Sequence, residues 1–187
     1  MHAKYLTIGA ATTGLMLFVW GGVLNGAMRL PGEPLKGFTN EQAVLEAVRA
    51  NAPSNGVYLS QSGVFAAVDL RPNLASRTPS LGPRLLTELA GDIAEGLMLA
   101  LLVLLARPAT KAAGARLGLF AAAAAGIAVP LSDWNWFGFS PAFTFYAILE
   151  VVVGWTLAGL VLAALARRVI APESAPTPRP VAARASA

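Results

Sequence analysis

Long apolar runs, broken by short basic flanks, dominate this chain. The first run, about Tyr5–Ala27, reads YLTIGAATTGLMLFVWGGVLNGA and carries no charge. It meets the ~20 residues that a bilayer-spanning helix needs. Lys4 precedes it, as in a signal peptide. The run is long for such a segment, however, and no A-x-A cleavage pattern follows, so a retained helix is expected over residues 1–27. Runs at 84–106, 112–131 and 141–168 predict three more spanning helices. The alanines from Ala121 to Ala125 make the third one slender, which predicts a place inside the bundle. Pro130 should kink or end it. Gly22 and Gly26 form a small-xxx-small motif that permits close helix approach, within the bundle or in a dimer.

Between the first two spans lies a loop domain, residues 28–83. Thr39 and Gln42 have the spacing of a helix-capping box, so a helix is predicted over 40–51, with Val44, Ala47 and Val48 as its apolar stripe. Pro53, Asn55 and Gly56 break it. Two strands are predicted at 57–60 and 64–70, joined by a Ser-Gln-Ser-Gly turn. A domain this small has little core of its own and should rest on the bundle or on a partner. Residues 172–187 (ESAPTPRPVAARASA after Pro172) read as a disordered cytoplasmic tail. The expected fold class is therefore an all-α membrane protein, a four-transmembrane-helix bundle with a small α+β extracytoplasmic loop domain.

Composition supports this. Of the 187 residues 56% are hydrophobic and 13% charged, against about 45–50% and about 25% in soluble domains. Basic residues lie on loops and tail with no aromatic-interleaved patch, so the net charge of +4 does not point to nucleic acid. They set orientation instead. Lys4, then Arg107, Lys111 and Arg116, then Arg167 and Arg168 fall on one side, which puts both termini in the cytoplasm and the loop domain outside. The basic residues of that long loop count for less. Trp134, Asn135, Trp136, Phe137 and Phe139 form a turn before the last helix, suited to an interfacial aromatic belt.

Several patches resemble a group of small, uncharacterised bacterial four-helix membrane proteins. They are Phe18-Val19-Trp20-Gly21, Asn51-Ala52-Pro53 with Gly56-Val57-Tyr58, and Trp134 to Phe139 (WNWFGF). The resemblance implies the same topology and no catalytic residues. Members often carry a Pro-Trp-His patch after the first helix; Arg29-Leu30-Pro31-Gly32 stands there in this chain, so that patch does not carry over.

The chemistry sits in the carboxylates. Glu88, Asp92 and Glu95 are spaced four and three residues apart, one face of a helix, and Glu150 enters from the last span. Counting rise per residue puts Glu150 and Glu95 at similar depths, with Asp133 at the outer mouth. Arg84 is one turn from Glu88, and Arg29 and Arg77 could fold over from the loop. An ionised carboxylate inside a bilayer costs at least ~2.5 kcal/mol. Acids held in the apolar layer would therefore be protonated, surround a cation, or meet a basic group from another subunit, while Glu88 and Asp92 could instead be hydrated near the interface. Glu95 could also bond as a neutral acid to Asn25, Thr144 or Thr156. With no cysteine and with His2 as the only histidine, iron–sulfur clusters, thiolate zinc sites, haem ligation by histidine and multi-histidine metal centres are excluded within one chain, and no metal or cofactor is assigned.

No nucleophile–base pair or phosphate-binding glycine loop is present, so no catalytic residue is named and an enzyme is not the expectation. The leading expectation is an accessory or scaffold subunit of a larger membrane complex, its partners being the lipid bilayer and other membrane subunits or a second copy. The alternatives are a proton- or cation-linked transporter using the acids, and a lipid or hydrophobic-ligand binding protein. No inverted repeat supports a transporter.

Overall fold

The computed structural model describes residues 1–27, 36–70 and 81–170. In chain order these form α1 (His2–Ala27), α2 (Glu41–Asn51), β1 (Gly56–Leu59), β2 (Phe65–Val68), α3 (Leu81–Ala106), α4 (Lys111–Ala128), α5 (Pro130–Phe137) and α6 (Pro141–Val169). Four stretches are long and apolar enough to cross a membrane: α1, α3, α4 continued by α5, and α6. The expected tail at 172–187, and Arg29 and Arg77, lie outside the described residues.

Glycine decides how these helices meet. A Cβ added at Gly14 would fall 2.6 Å from Ile93 Cα, and one at Gly96 would fall 2.6 Å from Thr13 Oγ1. One at Gly9 would reach Leu162, and one at Gly154 would reach Leu17 and Trp20. Rising numbers on α1 thus meet falling numbers on α3 and α6, so α1 runs antiparallel to both. Where α1 begins and α3 and α6 end, the core is Tyr5, Leu99, Ala100, Val103, Leu162 and Ala163. The cations Lys4, Arg107, Arg167 and Arg168 lie at that same end of the three helices.

α4 buries one stripe, Gly114, Gly118, Ala122 and Gly126, four residues apart. This stripe lies on α6: Gly114 faces Gly159 and Ala163, Gly118 faces the Trp155 backbone, and Gly126 faces Ile148. Small residues let two backbones touch, which is how helices associate where lipid removes the hydrophobic drive. The slender third span does not, however, sit inside the bundle. It packs on α6 and scarcely elsewhere, and its far side leaves Phe120 and Ile127 exposed. One apolar stripe has a helix to face; the rest of α4 faces outward.

Pro130 ends α4 but does not open a turn. Val129 keeps a right-handed helical conformation, its N–H donates to Ala125 O, and the Asp133 N–H donates to Val129 O. Proline at the start of a helix lacks only a donor that would be unused there, so α5 follows directly. Trp134, Asn135, Trp136 and Phe137 are therefore helical rather than a turn, and Gly138, at φ 72°, ends the helix in a left-handed conformation. α3 begins at Leu81, ahead of the expected 84, with Pro83 in its first turn.

The loop domain has the predicted helix and two strands. Asn40, not Thr39, caps α2: its Oδ1 accepts from the Ala43 N–H at 3.0 Å, while Gln42 donates sideways to Glu46 at 2.6 Å. β1 and β2 pair antiparallel, Val57 opposite Ala67 and Leu59 opposite Phe65. The turn closes through Gly63, at φ 86°, whose N–H donates to Ser60 O. The hairpin rests on the bundle at two points. The Phe65 ring stacks on Phe137 at 4.6 Å, and Asp69 pairs with Arg84 of α3 at 3.0 Å.

If backbone contact between α4 and α6 holds this half together, Gly118→Ala should destabilise the protein by about 1–3 kcal/mol, the cost of overpacking a tight site. Gly22→Ala, where no described atom lies within 4 Å of the added methyl, should leave the thermal midpoint in detergent unchanged.

Candidate functional site

At the end of the bundle that carries the loop domain, α1, α3 and α6 splay around a cleft of about 700 Å³. α1 contributes Phe18, Val19, Gly21, Gly22, Asn25 and Gly26. α3 adds Arg84, Leu85, Glu88 and Asp92, and α6 adds Glu150. Part of the room in the cleft comes from the glycines of α1. A Cβ on Gly21 would lie 2.7 Å from Glu150 Oε1, so the carboxylate occupies the room that glycine leaves. At Gly22 and Gly26 nothing described fills that room. These two glycines therefore do not pack helices within the described bundle; Gly9, Gly14, Gly96, Gly114, Gly118 and Gly159 do. Gly22 and Gly26 form an open wall.

The five acids singled out from the sequence divide. Glu88, Asp92 and Glu150 share the cleft. Asp92 Oδ2 is buried and has no hydrogen-bond partner among the described residues. Glu95 turns elsewhere: its Oε2 accepts from the Trp155 indole N–H at 3.0 Å. Asn25 and Thr156 do not reach it, since each donates to its own helix, at Gly21 O and Val152 O. Thr144 Oγ1 is buried without a partner. Glu95 is also not level with Glu150. Glu150 lies against Gly21, whereas Ile93, beside Glu95, lies against Gly14; seven residues of helix separate those levels by ~10 Å. Asp133 falls in the first turn of α5.

Arg84 stands at the mouth but is not held by Glu88. It reaches Asp69 beyond β2, which ties the hairpin to α3. One cation on the cleft wall is thus already engaged. Among the described residues no three of His, Cys, Asp and Glu are grouped closely enough to hold a metal ion.

Two residues of this site do not follow from sequence pattern. Trp20 donates its indole N–H to the Glu150 carbonyl at 3.0 Å, joining α1 to α6 beside the cleft. Asp69 positions Arg84. The signal for Trp20 was available, because an indole N–H in an apolar span needs an acceptor; the partner's identity was not.

A second depression of about 610 Å³ lies between the hairpin and α5, lined by Leu59, Gly63, Phe65, Asn135, Trp136 and Phe137. Phe139 stacks instead on Phe143 of α6, at 5.0 Å. Comparison of the chain with protein-family models, with curated proteins and with solved structures finds no match.

Trp20→Phe keeps the ring and removes the donor. It should cost about 0.5–1.5 kcal/mol, the net worth of one hydrogen bond, measured by unfolding in detergent. A double-mutant cycle on Asp69→Asn and Arg84→Gln should show coupling below about 1 kcal/mol, because this ion pair is part-exposed.

Proposed function

We propose that this protein is a multi-pass protein of the bacterial cytoplasmic membrane, with both termini in the cytoplasm, that serves as an accessory or scaffold subunit of a larger membrane complex. In this reading the cleft between α1, α3 and α6 receives a helix of a partner subunit that carries a basic side chain. One observation carries the reading: the bare wall of Gly22 and Gly26 and the carboxylates of Glu88, Asp92 and Glu150 line the same open cleft. Glycines of this kind allow close approach of a second backbone in lipid. The carboxylates then have a cation to meet, which offsets their cost in an apolar surround. Phe18, Val19 and Leu85 supply the apolar part of the contact.

A conduit for protons or cations is the weaker reading. The cleft acids occupy one half of the bundle, and the other half is closed by Tyr5, Leu99, Ala100, Val103 and Leu162. The orientation rests on the cations gathered at the end where α1 begins. The expectation of a bacterial cell rests on the resemblance of the Phe18–Gly21, Asn51–Tyr58 and Trp134–Phe139 patches.

Extraction from native membranes in mild detergent should yield the chain bound to another membrane protein, and a photoreactive residue at Val19 should crosslink to it. Combining Glu88→Gln, Asp92→Asn and Glu150→Gln should weaken that association by at least tenfold, in line with the ~2–5 kcal/mol at stake when a buried charge loses its partner. Glu95→Gln should leave it intact. A lone monomer from native membranes, or a complex indifferent to the triple substitution, would overturn the reading.

A further inference from the structure

We propose that the β1–β2 hairpin is not a lid standing in water but an interfacial element that lays one face into the lipid headgroup layer beside α5. This inference concerns the hairpin and α5 rather than the lining of the α1/α3/α6 cleft, and it does not rest on the partner-helix reading. Side chains alternate across a strand, so Val57 and Leu59 share a face, and their cross-strand partners Ala67 and Phe65 share it too. That face is entirely apolar. Only Phe65 is used internally, in its stack on Phe137. Val57 and Leu59 remain 70% and 74% exposed, and Trp136 across the depression remains 76% exposed. Tyr58, on the opposite face, satisfies its hydroxyl locally by donating to Ser54 O at 2.6 Å.

Three observations name lipid as the occupant. First, from Gly56 to Val68 the hairpin carries no charged residue, so entering the interfacial layer desolvates no ion. Second, the patch is continuous with the apolar surface of a spanning segment. Phe120, Ile127, Leu131 and Trp134 are exposed at helical spacing along α4 and α5, and they lead from mid-span to the last turn of α5, where Phe137 carries the hairpin. Third, the depth matches. Arg116 is the last cation of α4, and ~20 residues of helix, the ~30 Å of a hydrocarbon core, end at Trp136. Tryptophan favours that level, with its ring among acyl ends and its N–H toward headgroups. The stack of Phe65 on Phe137 fixes the hairpin at the same height as α5, and the Asp69–Arg84 pair fixes its base to α3.

The chain has no cysteine, so a single Leu59→Cys or Val57→Cys variant can carry one fluorophore in lipid nanodiscs, with Glu46→Cys on α2 as the reference. Nitroxide placed high on the lipid acyl chains should quench the labels at 57 and 59 strongly and the label at 46 little. A water-soluble quencher should act in the opposite order. Both positions lie on the same face, so one serves if the other variant misfolds. Equal aqueous quenching at 46, 57 and 59 would overturn the proposal. So would protection from both quenchers that fades as lipid is added, since a second copy of the chain would then be what covers the face.

Discussion

Backbone-close contact between helices is the constraint on which the rest of this structure depends. In lipid, apolar side chains gain little by leaving their surroundings for one another, so association has to come from shape. Here the shape is supplied by missing side chains. Gly14 and Gly96 bring α1 against α3, and Gly114, Gly118 and Gly159 bring α4 against α6. Each is a position where even a methyl group would meet backbone or a neighbouring side chain. The same device left unfilled makes the cleft: Gly22 and Gly26 continue the glycine-rich character of α1 past the point where any described neighbour comes close. Seam and cleft are one motif, completed inside the chain in the first case and open in the second.

Electrostatics follows from that geometry. Where α1 offers no side chain, the carboxylates of Glu88, Asp92 and Glu150 project into space that is neither core nor plain surface. Glu150 is pinned from behind, because its carbonyl accepts the Trp20 indole. Arg84 is drawn away to Asp69, so tethering the hairpin has an electrostatic consequence: it keeps the cation described on the cleft wall directed at the loop domain. Glu95, one turn deeper than Asp92 on the same helix, has a neutral donor in Trp155 and does not line the cleft.

The spans were legible in the sequence because length and apolarity suffice to define a helix in lipid. The loop-domain helix and strands were legible too, from turn residues and alternation. What pattern alone could not give was facing. Ala121 to Ala125 suggested a helix inside the bundle, whereas of these only Ala122 is buried, in the stripe that α4 lays on α6. Three carboxylates at helical spacing correctly shared a face, yet a helical face is wide enough for Asp92 and Glu95 to have different neighbours. The Trp134–Phe137 stretch read as a turn because Pro130 precedes it, whereas proline opens a helix as readily as it ends one. Thr39 and Asn40 both suit a cap, and a one-residue choice between them is decided by backbone geometry rather than by residue type.

The pairing of helices also orders their assembly. α4 and α6 are joined by α5 and four further residues, so their contact is local in sequence and closes a short loop. α1 has its neighbours in α3 and α6, one beyond the whole loop domain and the other at the far end of the described chain. α1 is thus made before both of its neighbours, and until α6 is in place the side of α1 that bears Leu17 and Trp20 lacks the helix it faces.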